Sequence, residues 1–522
     1  MTAPLPDRLA PLAAARGVRA YFGDIHNHCA LSYGHGSLDG ALDRAALQLD
    51  FVSITGHAHW PDMPVDDPAV AHIVDFHEKG FAKLRAGWKD HFETLSRHND
   101  ENGFWVFPGY EIHSCADGDY TIVYADLEPD PIVLADTPAE LRTRLAADKG
   151  GRALAFPHHI GYRQGARGIN WDTFDPALSP FVEMFSMHGC AEASETSRGY
   201  LHSMGPVDGR STMAEGLRRG ARFGIVGNTD HHSGFPGSWG HGRMAAYGAI
   251  DGGGREAIWA AMRGRHTNAL TGDTTHLLIA AGDAIQGDVA APAPRATLQI
   301  EAVAGGFIDT IDIVRNGELF TRISPDLTPA PVSRSAAGTV ETVLYVELGW
   351  GARRTSHHWT GTVRLENGAI DAVEPRFRGP EVVSPLEGGD NAHPLPQLIH
   401  DGETVRFAVT AEANPNNVTS ATQGFALRLT ARADAVIHAE LDETSISVPL
   451  TRLMEGALSG NLGPIDSPAF RFHMLPQPHQ WQWAGTLDLG AAEPGETVYA
   501  RLCQRDGQMA WTSPIFFGDA AQ

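Results

Sequence analysis

The segment Gly23-Asp24-Ile25-His26-Asn27-His28 constrains this chain more than any other, because an apolar run closes on two histidines one residue apart. Residues i and i+2 of an extended strand point to the same side, so His26 and His28 can face one metal ion together. A His-x-His pair alone is weak evidence, since a strand end can carry two solvated histidines. Recurrence gives it weight. Through about Thr275, short β-rich runs alternate with longer amphipathic stretches, the pattern of βα units around a parallel sheet or barrel. Candidate strands span 20–25, 51–55, 104–108, 153–156, 181–185 and 223–227, and each runs into polar residues able to bind a metal. In order these are His26 and His28, His57 and His59, Glu111 and His113, His158 and His159, His188, and Asp230 with His231 and His232. In a parallel α/β barrel the strands share one direction, so residues past their carboxyl ends converge on one face.

The 26 histidines are unevenly spread: 19 lie between His26 and His276, and seven in the 246 residues that follow. The chemistry is therefore assigned to residues 1–282. Beyond Asp283 the helical periodicity fades, and alternating runs near 296–302, 342–348, 404–410, 424–431 and 496–503 are punctuated by Gly, Pro, Asn and Asp. That texture predicts a β-sandwich-rich region over 283–522, divided into two modules around the Pro/Gly-rich stretch 375–394. Trp481, Trp483 and Trp511 are read as core or interface residues, the alternative being a platform for stacking sugars. His72, His77, His91 and His98 fall in an expected helical insertion over 66–102 and are read as surface residues.

Charge and composition exclude some functions. A formal net charge of -23 argues against a nucleic-acid partner or an anionic membrane surface. No window reaches the uninterrupted apolar length needed to span a bilayer. Residues 1–20 lack the compact apolar core of a signal peptide, and the expected location is cytoplasmic. Cys29, Cys115, Cys190 and Cys503 form no Cys-x-x-Cys pair and are read as free thiols.

Hydrolytic metal sites need neutral imidazoles and carboxylates with a coordination position left open. This chain supplies both, and Glu111 and Asp230 are the carboxylates placed to bridge ions and to contact a nucleophilic water. Arg163, Arg167, Arg198 and Arg243, with His241, follow these motifs and are the candidate substrate-binding residues. A guanidinium binds phosphate or carboxylate bidentately, so the expected partner is a small anionic molecule. Trp171 and Trp239 are candidate walls for its organic part.

The set Asp24-x-His26-x-His28, Ile54-Thr55-Gly56-His57, Gly109-Tyr110-Glu111, Pro157-His158-His159, His188 and Thr229-Asp230-His231-His232-Ser233 resembles the PHP (polymerase and histidinol phosphatase) superfamily. Gly109-Tyr110-Glu111 and the tail Gly507 to Ile515 resemble its DUF3604 subfamily. The resemblance implies a distorted (β/α)7 barrel followed by a β-rich region, and phosphoester hydrolysis through a metal-activated hydroxide. It implies two or three divalent ions (Zn, Mn or Fe). The first would be held by His26, His28, Glu111 and Asp230; the second by Glu111, His188 and either His158 or His159; the third by His35, His57 and His232. Asp230, His232 and Glu111 are the expected catalytic residues. One departure stands out. The family commonly has Asp where this chain has Gly56, a loss expected to weaken the third metal or open space for a larger substrate, with His59 as a substitute. The rival expectations are a lactone, ester or amide hydrolase on the same centre, and an inactive binding protein. An oligomer is compatible with all of them.

Overall fold

A computed structural model describes residues 10–519 except 129–130, 150, 327, 329–337, 381–393 and 414–420. Most of the expected division near 375–394 therefore lies outside the described residues. In the first half, strands β1 (Val18–Asp24), β2 (Phe51–Val52), β3 (Thr55–His59), β4 (Trp105–Val106), β5 (Gly109–Ile112), β6 (Tyr120–Tyr124), β7 (Ala153–Pro157), β8 (Phe181–Ser186), β9 (Gly189–Cys190), β10 (Gly224–Gly227), β11 (Arg243–Ala249) and β12 (Thr267–Leu270) follow one another. Helices α1 (Pro11–Ala15), α2 (Leu38–Gln48), α3 (Ala71–His98), α4 (Pro138–Lys149), α5 (Met213–Arg218) and α6 (Gly254–Arg263) are interspersed.

The expected (β/α)7 barrel is not what the chain forms. Strand outweighs helix, 41% against 18%, and the strands lie in several sheets with no closed barrel among them. Only some neighbours are parallel: β1 with β2, β2 with β4, β3 with β5, and β8 with β10. β6 pairs antiparallel with both β5 and β7, and β11 antiparallel with both β1 and β12. The reason is connection length. A parallel crossover needs a dozen or more residues and usually a helix, whereas residues 113–119 return β5 directly into β6 as a hairpin. The run Tyr120-Thr121-Ile122-Val123-Tyr124, aromatic and β-branched, is not among the expected strands, and no helix lies between it and β5.

One sheet of eleven strands runs through both sides of residue 282. It carries β12, β11, β1, β2 and β4, then the strands Met509–Thr512, Thr497–Gln504 and Ile515–Phe517 from the far end of the chain. Asn268, Ala269 and Leu270 register against Thr512, Trp511 and Ala510. An eight-stranded sheet holds the long strands Thr339–Trp350, His357–Pro375 and Gln423–Leu441. Their inward residues, among them Leu344, Trp359, Phe425 and Phe472, form a separate core. Trp481 and Trp511 are buried, the latter donating its Nε1–H to Glu192 Oε2 at 2.9 Å, and Trp483 packs against the neighbouring core. Trp171 and Trp239 are also core residues rather than walls of a site.

Helix α3 is where the sequence puts it, and its apolar stripe Phe81, Leu84, Trp88, Phe92 and Leu95 recurs at helical spacing and is buried. The helix also explains Gly56. A Cβ there would stand 2.6 Å from Leu84 Cδ1, so the place is filled by the helix and offers no extra room to a substrate. His77 and His91 of this helix are buried, not surface residues as expected. His91 stacks on Trp88 at 5.0 Å, and neither of its nitrogens has a hydrogen-bond partner in the protein. Burial drives its pKa down to about 3. Replacing it with leucine removes two unpartnered polar atoms and is expected to stabilise the fold by about 1–2 kcal/mol. An unfolded histidine takes up its proton near pH 6.5 while the folded one does not until about pH 3, so stability is lost as pH falls through that window. The gain in His91→Leu, measured by thermal or urea unfolding, should therefore be larger at pH 5 than at pH 8.

Among the described residues, no helix is long and apolar enough to cross a membrane.

Candidate metal centre

Two segments of the site hydrogen-bond to each other through their backbones. His28 N donates to His231 O, Asp230 N to His26 O and Gly234 N to His28 O, so the residues after β10 lie alongside those after β1. Asp24 fixes this junction. Its fully buried carboxylate accepts from Thr229 Oγ1 (2.5 Å), Gly237 N (2.9 Å), and Thr229 N and His26 N (3.2 Å each). Asp230 itself sits in the left-handed region at φ 51°, a conformation that costs energy and aims its carboxylate at the histidines.

Glu111 lies within β5 rather than past its end, and its two oxygens meet different histidines. Oε2 is 3.3 Å from Nε2 of both His26 and His28, and 3.6 Å from Nε2 of His57. Oε1 is 3.0 Å from His113 Nδ1 and 3.2 Å from His158 Nε2. Asp230 Oδ1 lies 3.1 Å from His28 Nε2 and 3.5 Å from His26 Nε2, while Oδ2 is 2.9 Å from His188 Nε2. The four residues expected around a first ion are thus brought together. Those expected around a second are divided: His158 faces Glu111, but His188 faces Asp230. His159, at φ 33°, turns its Nε2 toward Asp119 Oδ2 at 3.3 Å. Of the expected third set, His57 and His232 converge with His28. His35 does not belong to any such group of described residues, and its backbone N–H donates to His232 O. His59 is half-buried and points to Asp136 at 3.6 Å, away from the cluster.

In five of the imidazoles the second nitrogen is held in place, whereas His28 Nδ1 is buried without a hydrogen-bond partner. His26 Nδ1 contacts Glu183 Oε2 (2.8 Å), His57 Nδ1 the Ser32 hydroxyl (2.8 Å) and His158 Nδ1 the Thr121 hydroxyl (2.9 Å). His188 Nδ1 contacts the Tyr162 hydroxyl (2.5 Å), and His232 Nδ1 the carbonyl of Asp230 (3.1 Å). With Nδ1 engaged, Nε2 of His26, His57, His158 and His188 is presented to the carboxylates, the arrangement that orients metal-binding histidines and raises their basicity. His158 Nε2 is buried 3.2 Å from Glu111 Oε1 without forming a directed hydrogen bond. A buried donor set of imidazoles and carboxylates of this kind could hold a metal ion.

Electrostatics agree. Burial alone would raise the Glu111 carboxyl, but His158, His57 and His113 outweigh it and hold it well below its ordinary value. Burial is likewise outweighed at Asp230, by His26 and His188. Burial, with His28 beside them, keeps His57 and His232 well below theirs, so both are neutral and able to ligate. His26 and His113 go the other way: burial would lower both, yet Asp230 and Glu183 push His26 well up, and Asp119 and Glu111 raise His113 against burial and Arg167. The proton on His26 answers these carboxylates, and a cation bound there would take its place.

Of the expected substrate residues, only Arg167 reaches the cluster. Its Nε donates to Asp119 Oδ2 at 2.7 Å, its Nη2 lies 4.0 Å from Glu111 Oε1, and its guanidinium covers Trp60 at 5.3 Å. Arg163 is exposed. Arg198 donates to the carbonyl of Gly507 and ties the tail to the first half. Arg243 is wholly buried, with Nη2 on Gly237 O, and takes no part in a mouth. His241 binds the Ser238 hydroxyl through Nδ1 and stacks near His231 at 4.8 Å.

Sequence reading missed Glu183, Asp119, Thr121, Ser32, Tyr162 and Tyr33, whose ring stacks on His57 at 3.5 Å. Glu183 had a signal: a lone carboxylate in the otherwise apolar strand Phe181-Val182-Glu183-Met184-Phe185 demands a buried partner.

No family model and no curated protein matches the chain. Among solved structures it is similar to PsfC from Pseudomonas syringae PB-5123, at 17% identity and a TM-score of 0.26, over 44% of this chain and 82% of that one.

Proposed function

We propose that this protein is a metal-dependent hydrolase whose substrate is a small organic phosphoester. The observation that carries the reading is the set of anchored histidines whose Nε2 atoms face the oxygens of Glu111 and Asp230. The order of the ligand motifs, which resembles that of PHP hydrolases, supports it; the resemblance extends to the motifs and not to the barrel.

Divalent ions held there supply Lewis acidity and lower the pKa of water toward neutrality. The chain's own residues do the rest. Glu111 and Asp230 hold the cluster together through both carboxylate oxygens, and Asp230, joined to His26, His28 and His188, is placed to accept a proton. His232 flanks them from the same loop. Arg167, fixed by Asp119, offers the rim a guanidinium for an anionic group. Tyr33 and Trp60 wall that side and limit water.

The test is turnover of an aryl phosphate monoester and diester, beside an aryl acetate and a lactone, by protein loaded separately with zinc, manganese or iron. The reading predicts phosphoester hydrolysis inhibited by orthophosphate or vanadate. Turnover of the carboxylic substrates alone, insensitive to vanadate, would replace phosphorus by carbon as the centre attacked. No hydrolysis by metal-loaded protein would leave a binding protein.

A further inference from the structure

Of Trp481, Trp483 and Trp511, for which a sugar platform was the alternative, Trp481 and Trp511 are buried and Trp483 packs, partly buried, against the core. A different tryptophan has the exposure they lack. Trp350 ends the strand Thr339–Trp350, two residues after Leu348, which is 0% exposed. Strand alternation alone would return Trp350 to the core. Instead its backbone enters the left-handed region at φ 56°, rare for a bulky side chain, and 42% of the residue is exposed. Such an outlier persists only when surrounding structure enforces it, and it is a mark of sites that bind.

Trp350 lines a cavity of about 550 Å³, within the span of small-molecule sites of about 300–1,000 Å³. The rest of the lining is chemically mixed. Ser459 and Asn461 come from the strand Leu458–Asn461, at the edge of the eight-stranded sheet, and Arg471 from its neighbour Pro468–Phe472. Ser459 registers against Arg471 and Asn461 against Ala469, so these side chains share the outer face, while Phe470 and Phe472 face the core. Asp466 and Ser467 close the cavity from the intervening turn. One carboxylate and one guanidinium leave the lining without net charge.

We propose that this cavity is a carbohydrate-binding site, independent of the metal centre. A pyranose has an apolar face of C–H groups and a rim of hydroxyls, each both donor and acceptor. An exposed indole suits the face. Amide, hydroxyl, carboxylate and guanidinium groups supply the mixed donors and acceptors that the rim requires, and none requires a charged ligand.

The experiment uses full-length protein on an array of immobilised neutral oligosaccharides covering α- and β-linked glucans, mannans, xylans and chito-oligomers. Retention is then quantified by calorimetry for wild type, Trp350→Ala and Asn461→Ala. The proposal predicts that at least one of these glycans is retained, with affinity at least tenfold weaker in both variants at unchanged melting temperature and metal content. Retention of none of them by wild type, or equal retention by Trp350→Ala, overturns it.

Discussion

Glu111→Ala is expected to abolish turnover and to strip the centre of more than one ion. The carboxylate is within 3.6 Å of five imidazole nitrogens, from His26, His28, His57, His113 and His158, through two oxygens that face different sides. Its removal takes a donor from two of the groups in which three ligand atoms converge, those with His26 and His28 and with His57 and His113. It also leaves five imidazoles packed together without one of the anions that keeps them compatible. A hydrolase that loses a single preorganised electrostatic group commonly slows by about 10²–10³-fold, and a lost bridging ligand should cost at least that. The measurement is kcat for the best phosphoester substrate, alongside ions retained after dialysis. Retention of wild-type turnover would remove Glu111 from the centre. Because the variant keeps the Glu183, Ser32 and Thr121 contacts of His26, His57 and His158, its fold should survive, and circular dichroism can check this.

The second large effect lies in the network around Arg376 and Asp273. Arg376 follows the strand His357–Pro375 and is 1% exposed, with Nε 3.3 Å from Asp273 Oδ1 and Nη2 donating to Gly305 O at 2.9 Å. Its guanidinium covers the Tyr345 ring at 4.5 Å and approaches Trp239 at 5.6 Å. Asp273 in turn accepts from Trp239 Nε1 at 2.8 Å and Gln504 Nε2 at 2.9 Å. This network joins the end of the first half, the eight-stranded sheet and the carboxyl-terminal strands. Burial already lifts Asp273 to about 6 against the pull of Arg376. Arg376→Ala leaves that carboxyl buried without its cation, and breaking a buried pair from one side costs about 3–5 kcal/mol. Chemical unfolding should show a loss of that size or a separate early transition of the carboxyl-terminal half. A change below about 1 kcal/mol would mean that water replaces the guanidinium at no cost.

Much of the candidate site was legible because short-range spacing encodes it. His26-x-His28 on a strand, Glu111 on another and Asp230 after a third needed only the alternation of side chains and the ends of apolar runs. Long-range pairing was not legible. Whether Tyr120–Tyr124 returns antiparallel beside Glu111 depends on the turn 113–119 and on which neighbour closes the sheet, and an assumed βα repeat concealed the strand that delivers Asp119 and Thr121. His158 and His159 are adjacent in sequence, and only the backbone at His159 decides that the first faces Glu111 and the second Asp119. Arginines mislead for a similar reason. Arg243 and Arg167 both follow a ligand motif, yet one is absorbed in the core and the other is held at the cluster by Asp119, a residue 48 positions away. Histidine on a helix was also misread, since His91 shares the buried stripe of α3 that its apolar neighbours define.

The central claim is that the converging histidines and carboxylates form a metal centre, and the direct test is elemental analysis of the purified wild-type protein after exhaustive dialysis. The account predicts two or three tightly held ions of zinc, manganese or iron per chain. An absence of stoichiometric metal, persisting after incubation with each of these ions, would contradict it and leave the cluster as a buried polar core.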